Sequence, residues 1–334
     1  MRRRDFTIGL LLASTAVALA QEPAKQHRIA IVVPAGPIAA ISDTGSDSIR
    51  RRLYEAFFEE LRRLGDVEGQ NLTIERYSGE GRREAYADLA REAVGENPEA
   101  IVAHTNPVAK ALRAASSTIP IVWIGVDGIR SGIATSLARP GSNITGVNFY
   151  DYEIWGKRLQ ILKEAVPSTA KVAFLLPPGG WEGAQAQLLR EMSRRLEISL
   201  IPMLLPESTP LEYQRVFAEI APEQPDAIIV HDTGDLVPYL QLIVELVAKR
   251  HLPAMYGYRD YVEAGGLMAY EADLSEAGRL MADDVHQILS GTKPEDIPIY
   301  QATKFDLAIN LKTAKALGLT IPSSLLAEAD EVIE

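Results

Sequence analysis

The stretch RIAIVVPAGP (Arg28–Pro37), followed by IRRRLYEAFFEELRRLG (Ile49–Gly65) and NLTIERY (Asn71–Tyr77), decides the fold of this chain. Ile29–Val33 is an apolar run rich in β-branched residues and stopped by Pro34-Ala35-Gly36-Pro37, as expected of a strand covered on both faces and ended by a turn. In the second stretch Ile49, Leu53, Phe57, Leu61 and Leu64 recur at spacings of four and three, so one helical face is apolar while Arg50, Arg51, Glu59 and Arg62 meet water. Gly65 suits the C-cap. Leu72–Tyr77 then reads as the next strand, and strand, helix, strand is the unit of a parallel sheet.

The same alternation continues to the C-terminus. Strands are predicted at Ala100–Ala103, Ile121–Ile124, Thr145–Phe149, Val172–Leu176, Ser199–Leu204, Ala227–Val230, Ala254–Tyr256, Leu267–Tyr270 and Phe305–Ile309. Amphipathic helices are predicted at Arg82–Val94, Ile154–Val166, Glu182–Leu196, Leu236–Arg250 and Ser275–Leu289. No internal repeat or long linker is evident. A chain of 334 residues exceeds what one core usually serves, so two α/β domains are expected.

At the N-terminus Arg2, Arg3 and Arg4 precede an apolar run from Phe6 to Leu19 that ends in Ala18-Leu19-Ala20, the pattern of a signal peptide cut after Ala20. Arg3-Arg4-Asp5-Phe6 also resembles a twin-arginine signal, and both export routes stay open. The net charge of −11 becomes −13 once residues 1–20 are removed, because three arginines and one aspartate leave with them. Such an acidic chain cannot release the counterions that drive nucleic-acid binding. The absence of cysteine excludes disulfides, thiolate metal sites and thiol nucleophiles.

Doubly wound sheets place ligands beyond the carboxyl ends of their strands. The loops there are Pro34–Pro37, His104-Thr105-Asn106, Gly125-Val126-Asp127-Gly128, Tyr150-Asp151-Tyr152, Pro177-Pro178-Gly179-Gly180-Trp181, His231-Asp232-Thr233-Gly234-Asp235, Tyr256-Gly257-Tyr258-Arg259 and Tyr270-Glu271. Two sheets whose strand ends face each other would gather these groups around one cleft with aromatic walls and a few polar anchors. The candidate ligand-binding residues are Gly36, Asn106, Asp127, Tyr150, Trp181, Asp232, Thr233, Tyr256, Tyr258 and Glu271.

Asn106 and Thr233 with backbone N–H groups suit a carboxylate, and Asp127, Asp232 or Glu271 suit an ammonium. Arg130 or Arg259 could instead clamp a carboxylate. Each has a plainer reading: Asp127 braces its turn, Asp235 caps a helix, and tyrosines such as Tyr261 pack in the core. Trp181 is either a packing lid or a ligand wall. Burying about 200 Å² of ring at about 25 cal/mol per Å² yields roughly 5 kcal/mol. A micromolar ligand needs about 8 kcal/mol, so polar anchors must supply the remainder.

Catalytic signatures are missing: there is no G-x-S-x-G, Walker loop, H-E-x-x-H, or G-x-G-x-x-G after the first strand. The five histidines His27, His104, His231, His251 and His286 lack metal-ligand spacing, so no metal or cofactor is expected. A hydrolase using His104, His231 and the strand-end carboxylates is the alternative, and a sensory module handing its closed lobes to a receptor partner is another.

The segments Tyr261–Tyr270 (YVEAGGLMAY), Gly291-Thr292-Lys293-Pro294 with Ile297-Pro298, Thr303–Pro322, and Arg139–Val147 (RPGSNITGV) resemble the ABC transporter substrate-binding proteins linked to uptake of tryptophan and other aromatic amino acids. The resemblance implies a type I periplasmic-binding fold of two Rossmann-like lobes joined by three hinge crossovers. It implies a monomeric, non-catalytic periplasmic receptor that delivers a small molecule to an ABC permease. On this basis the lobes are expected at 28–148 plus 262–296 and at 149–261 plus 297–334. The chain departs from the family where Thr-Asp-Pro is usual, having Gly125-Val126-Asp127-Gly128, and where Asn-Pro is usual, having Pro177–Trp181. The loop from Pro34 to Asp47 is also long.

Overall fold

The computed structural model describes residues 26–42, 48–177, 180–182, 184–234 and 236–334. The expected signal peptide, Asp235 and the last five residues of the Pro34–Asp47 loop lie outside the described residues. The strands run in chain order β1 (His27–Val33), β2 (Leu72–Ser78), β3 (Ala100–His104), β4 (Ile121–Val126), β5 (Ile144–Tyr150), β6 (Lys171–Leu176) and β7 (Ser199–Leu204). They continue with β8 (Ala227–Val230), β9 (Ala254–Tyr256), β10 (Met268–Ala272), β11 (Tyr300–Gln301), β12 (Phe305–Asn310) and β13 (Glu331–Ile333). The helices that matter below are α1 (Ser48–Leu64), α2 (Tyr86–Gly95), α3 (Asn106–Ala115), α4 (Ile154–Ala165), α5 (Ala184–Arg195), α6 (Pro210–Glu219), α7 (Leu240–Lys249), α8 (Arg259–Glu263) and α9 (Leu274–Leu289).

The strands form two sheets, ordered β11-β5-β4-β3-β1-β2 and β13-β12-β10-β9-β8-β6-β7. Every pairing in the first sheet is parallel, and in the second only β10 with β12 is antiparallel. The order 5-4-3-1-2 in one sheet is repeated as 10-9-8-6-7 in the other, so each is a doubly wound Rossmann-like layer of the same topology. Their central strands are apolar and buried throughout: Ile29–Val33, Ala100–Ala103, Val172–Leu176 and Ala227–Val230.

The chain passes between sheets three times, after β5, between β10 and α9, and between β11 and β12. Two of these passages differ from expectation. Residues 262–296 were assigned to the first lobe, yet Met268–Ala272 pairs with β9 and β12 in the second sheet, so the chain leaves that sheet only at Asp273. Residues 297–301 were assigned to the second lobe, yet Tyr300 and Gln301 pair with Val147 and Asn148 in the first sheet. In each case backbone pairing extends past the point where the local pattern suggests a break.

Helix α9 therefore leaves the second sheet and packs along α1 of the first lobe. Gly278 permits that approach, since a Cβ there would lie 2.2 Å from the Leu53 carbonyl oxygen. Asp273 caps α9, its carboxylate accepting from the Ser275 and Glu276 N–H groups.

Candidate functional site

The carboxyl ends of β1, β3, β4 and β5 face those of β8, β9 and β10. The strand-end loops approach each other at Pro34 and Gly234, where a Cβ on Gly234 would lie 3.9 Å from Cγ of Pro34. The two sides end their strands with different chemistry.

In the first lobe, Gly36 has φ of +89°, and the Arg50 guanidinium occupies the space where a side chain would project. Arg50, assigned to the wet face of its helix, thus folds back over the end of β1. Ser78 Oγ donates to the Gly36 carbonyl at 2.6 Å, fixing that turn. At the end of β3, the buried Tyr54 hydroxyl and His104 Nε2 are 3.0 Å apart. Burial, and next the nearby Arg50, pull the His104 pKa down to about 3, so the imidazole is neutral. Asn106 does not reach out for a carboxylate. Its amide donates to the Val126 carbonyl and Ser131 Oγ, and its oxygen accepts from Trp123 Nε1 and the Val126 N–H, so it joins α3 to the end of β4.

Asp127, with φ of +45°, is turned inward and accepts from the backbone N–H and the guanidinium of Arg130. Arg130 also donates to Glu153, which stands just before α4 in the second lobe. Asn148 accepts from the Gly128 N–H and donates to Asp151 and Gln301, joining two of the three passages between lobes.

The second lobe is organised by a buried arginine. Arg158 lies on the apolar face of α4 beside Trp155 and Leu159, and is only 1% exposed. Its guanidinium donates to Asp232 Oδ2 at 2.7 Å, to the Tyr270 carbonyl at 2.9 Å and to the Gly257 carbonyl at 3.4 Å, and it lies over the rings of Trp155 and Tyr150. Burial alone would raise the Asp232 pKa, but Arg158 outweighs it and keeps the carboxyl below the usual range. Gly257 must be glycine here, because a Cβ would sit 2.3 Å from the Asp232 Cβ. Tyr258 donates its hydroxyl to the Asp232 carbonyl, and Thr233 donates its N–H to His231 Nδ1. Tyr150 is buried against the same group, its phenol pushed well up first by burial and then by Asp232.

Three remaining candidates are engaged elsewhere. Tyr256 is wholly buried and stacks on Tyr261 at 4.8 Å, so it is a core residue and not a cleft wall. Trp181 packs under the Arg190 guanidinium at 4.7 Å, while Arg190 donates to the Trp181 carbonyl. Pro178 and Gly179 of its loop lie outside the described residues. Glu271 is clasped by Arg52 of α1, which bonds both its oxygens at 2.8 and 3.2 Å and Asp260 at 2.6 Å, tying the first lobe to the second beside the α9 passage. Arg259, the proposed clamp, contributes its backbone N–H to Glu271.

Sequence reasoning missed Arg158, Arg52 and Tyr54. The signal for Arg158 is an arginine set between Trp155 and Leu162 on the apolar stripe of α4, a position that has to find a buried partner. Cavities of about 220 Å³ beside Phe58 and Arg76, and about 470 Å³ beside Arg259 and Lys304, are each lined by one lobe alone. Among the described residues no set of three His, Asp or Glu side chains could hold a metal, and no helix is long and apolar enough to cross a membrane.

Two doubly wound lobes of matching strand order, exchanging the chain three times, define the two-lobed binding-protein fold of type I. Residues 38–333 match the family described as ABC transporter substrate binding protein, and the chain belongs to that family. The tyrosine-binding protein of Clostridioides difficile is 22% identical over 79% of this chain and 76% of its own length. Among solved structures, a conserved domain protein of Vibrio cholerae has a TM-score of 0.80 at 26% identity, covering 92% of this chain and 100% of that one. A Streptococcus pneumoniae ABC domain in complex with L-Trp also scores 0.80, at 21% identity and the same coverage of both chains.

Proposed function

We propose that this chain is an exported, non-catalytic receptor that closes its lobes around a small organic solute and delivers it to an ABC permease. The observation that carries the reading is the opposition of strand-end loops from both lobes, with Pro34 facing Gly234 across the gap. In the proposed division one lobe comprises residues 27–150 and 274–301, the other 154–272 and 305–333. Residues 1–20 direct export and are then cut away after Ala20, and the mature chain acts as a monomer in the periplasm.

The ligand lies between Gly36 and His104 on one side and Tyr150, His231, Asp232, Thr233 and Tyr258 on the other. The Trp complex and the tyrosine-binding relative support a solute with an aromatic body and a carboxylate. Hydrolysis is disfavoured by the state of its candidate groups: Asp232 is held ionised in an ion pair with Arg158, and the strand-end histidines, with pKa values pulled down to about 3 and about 4, are weak bases. Calorimetry of the mature protein against amino acids and aromatic acids tests the reading. Binding of at least one such solute without turnover is expected, whereas turnover, or failure of every solute, would sink it.

A further inference from the structure

The imidazole of His231 has its proton placed by its own loop. The Thr233 backbone N–H points at His231 Nδ1 at 3.0 Å, and a backbone N–H can only donate, so Nδ1 holds a lone pair. Burial foremost, with Arg158 and Arg83 acting in the same sense against the opposing Asp232, depresses the pKa to about 4, so the ring is neutral at physiological pH. A neutral ring with an accepting Nδ1 carries its hydrogen on Nε2. Among the described residues nothing accepts from that nitrogen. Asp232 Oδ1 lies 3.6 Å away, and on the Nδ1 side.

The ring is held flat by its neighbours, with Trp155 at 5.1 Å and Phe174 at 6.1 Å between centroids, yet 14% of the side chain stays exposed. It faces the opposite lobe, where Arg83 is near enough to act on its charge. A neutral donor whose Nε2–H has no acceptor among the described residues therefore stands at the end of β8.

We propose that His231 determines specificity in this cleft: its Nε2–H is the donor offered by the second lobe, and the ligand meets it with a carboxylate or carbonyl oxygen, not with an ammonium. The proposal rests on the receptor reading above and refines the ligand class. The counterpart in the first lobe differs, because the Tyr54 hydroxyl beside His104 Nε2 can donate or accept and leaves that tautomer open.

Two measurements test it. In the mature chain labelled with ¹⁵N-histidine, two-bond ¹H–¹⁵N correlation near neutral pH should show the His231 signals, assigned by their loss in His231→Gln, with Nε2 protonated and Nδ1 bare. The opposite tautomer or an imidazolium overturns the proposal. Calorimetry then compares L-tryptophan, indole-3-propionate, which lacks the ammonium, and tryptamine, which lacks the carboxylate.

The two acids should bind and tryptamine should not. His231→Gln, whose amide can stand in for Nε2–H, should keep the affinity within a few fold, while His231→Asn, which reaches only as far as Nδ1, should lose about tenfold. Tryptamine binding as tightly as the acids, or equal affinities for the asparagine variant and the parent, overturns the proposal and leaves the receptor reading intact. If none of the three binds the parent protein, the proposal and its aromatic-solute basis fall together.

Discussion

The third strand of each sheet ends alike in sequence, Ala100-Ile-Val-Ala-His104 in one lobe and Ala227-Ile-Ile-Val-His231 in the other, and the two ends are finished by different means. In the first lobe the histidine pairs with a buried phenol and the following turn is held by the amide of Asn106, so its supports are uncharged. In the second, the residue after the histidine is a buried carboxylate balanced by a fully buried arginine that also binds the ends of β9 and β10. One topology thus tolerates a neutral floor and an ion-paired floor. The second is more exposed to loss of a single partner, because removing one ion strands the other in low dielectric.

The sharpest way to break this comparison is Arg158→Met, which fills similar volume and leaves Asp232 without its counter-charge. It should destabilise the protein by about 3–5 kcal/mol in urea unfolding. The double change Arg158→Met with Asp232→Asn should recover part of that loss. Equal stability of the two variants would contradict a charge-balanced floor.

Acid comes next, and here the lobes should behave alike. Both histidines have depressed pKa values, about 3 for His104 and about 4 for His231, so their contribution is complete above the unfolded value near 6.5 and is lost as pH falls through that range. Each adds a slope of up to about 1.4 kcal/mol per pH unit. Replacing either with Gln should flatten the fall in urea midpoint below pH 6.5; an unchanged slope would contradict buried neutral rings.

The smallest effect separates two strand-end glycines, one in each lobe. Gly257→Ala drives a methyl into Asp232 and should cost about 1–3 kcal/mol. Gly36→Ala meets the movable end of Arg50 and a positive φ, and should cost about 1 kcal/mol. Thermal midpoints of the two variants check the order.

Much of the fold was legible because its strands are continuous apolar runs and its longest helix carries a clean period. The passages between lobes were not. Tyr300–Gln301 is too short to announce a strand, and Leu267–Tyr270 looks the same whichever sheet it joins. For the site, position was easier to read than partnership. Strand-end loops identified Asp127, Asp232 and Glu271, but each is paired with an arginine, and Arg52 and Arg158 lie on helices whose patterns reveal burial without naming a partner. Tyr256 entered the core because its ring follows the strand's buried face onto Tyr261.

The packing of α9 on α1 bears on how the molecule is made. The first lobe has residues 27–150 in hand early, but its α9 and its edge strand β11 come only after residues 154–272 have been made. Its sheet and the helix layer over it cannot be completed by a nascent chain that stops before Gln301. Neither lobe is a contiguous stretch, and closing such distant contacts slows folding. A chain released from synthesis is therefore expected to pass through a stage in which the face of α1 that receives Gly278 is still uncovered, and that interval is when holding factors could act on it.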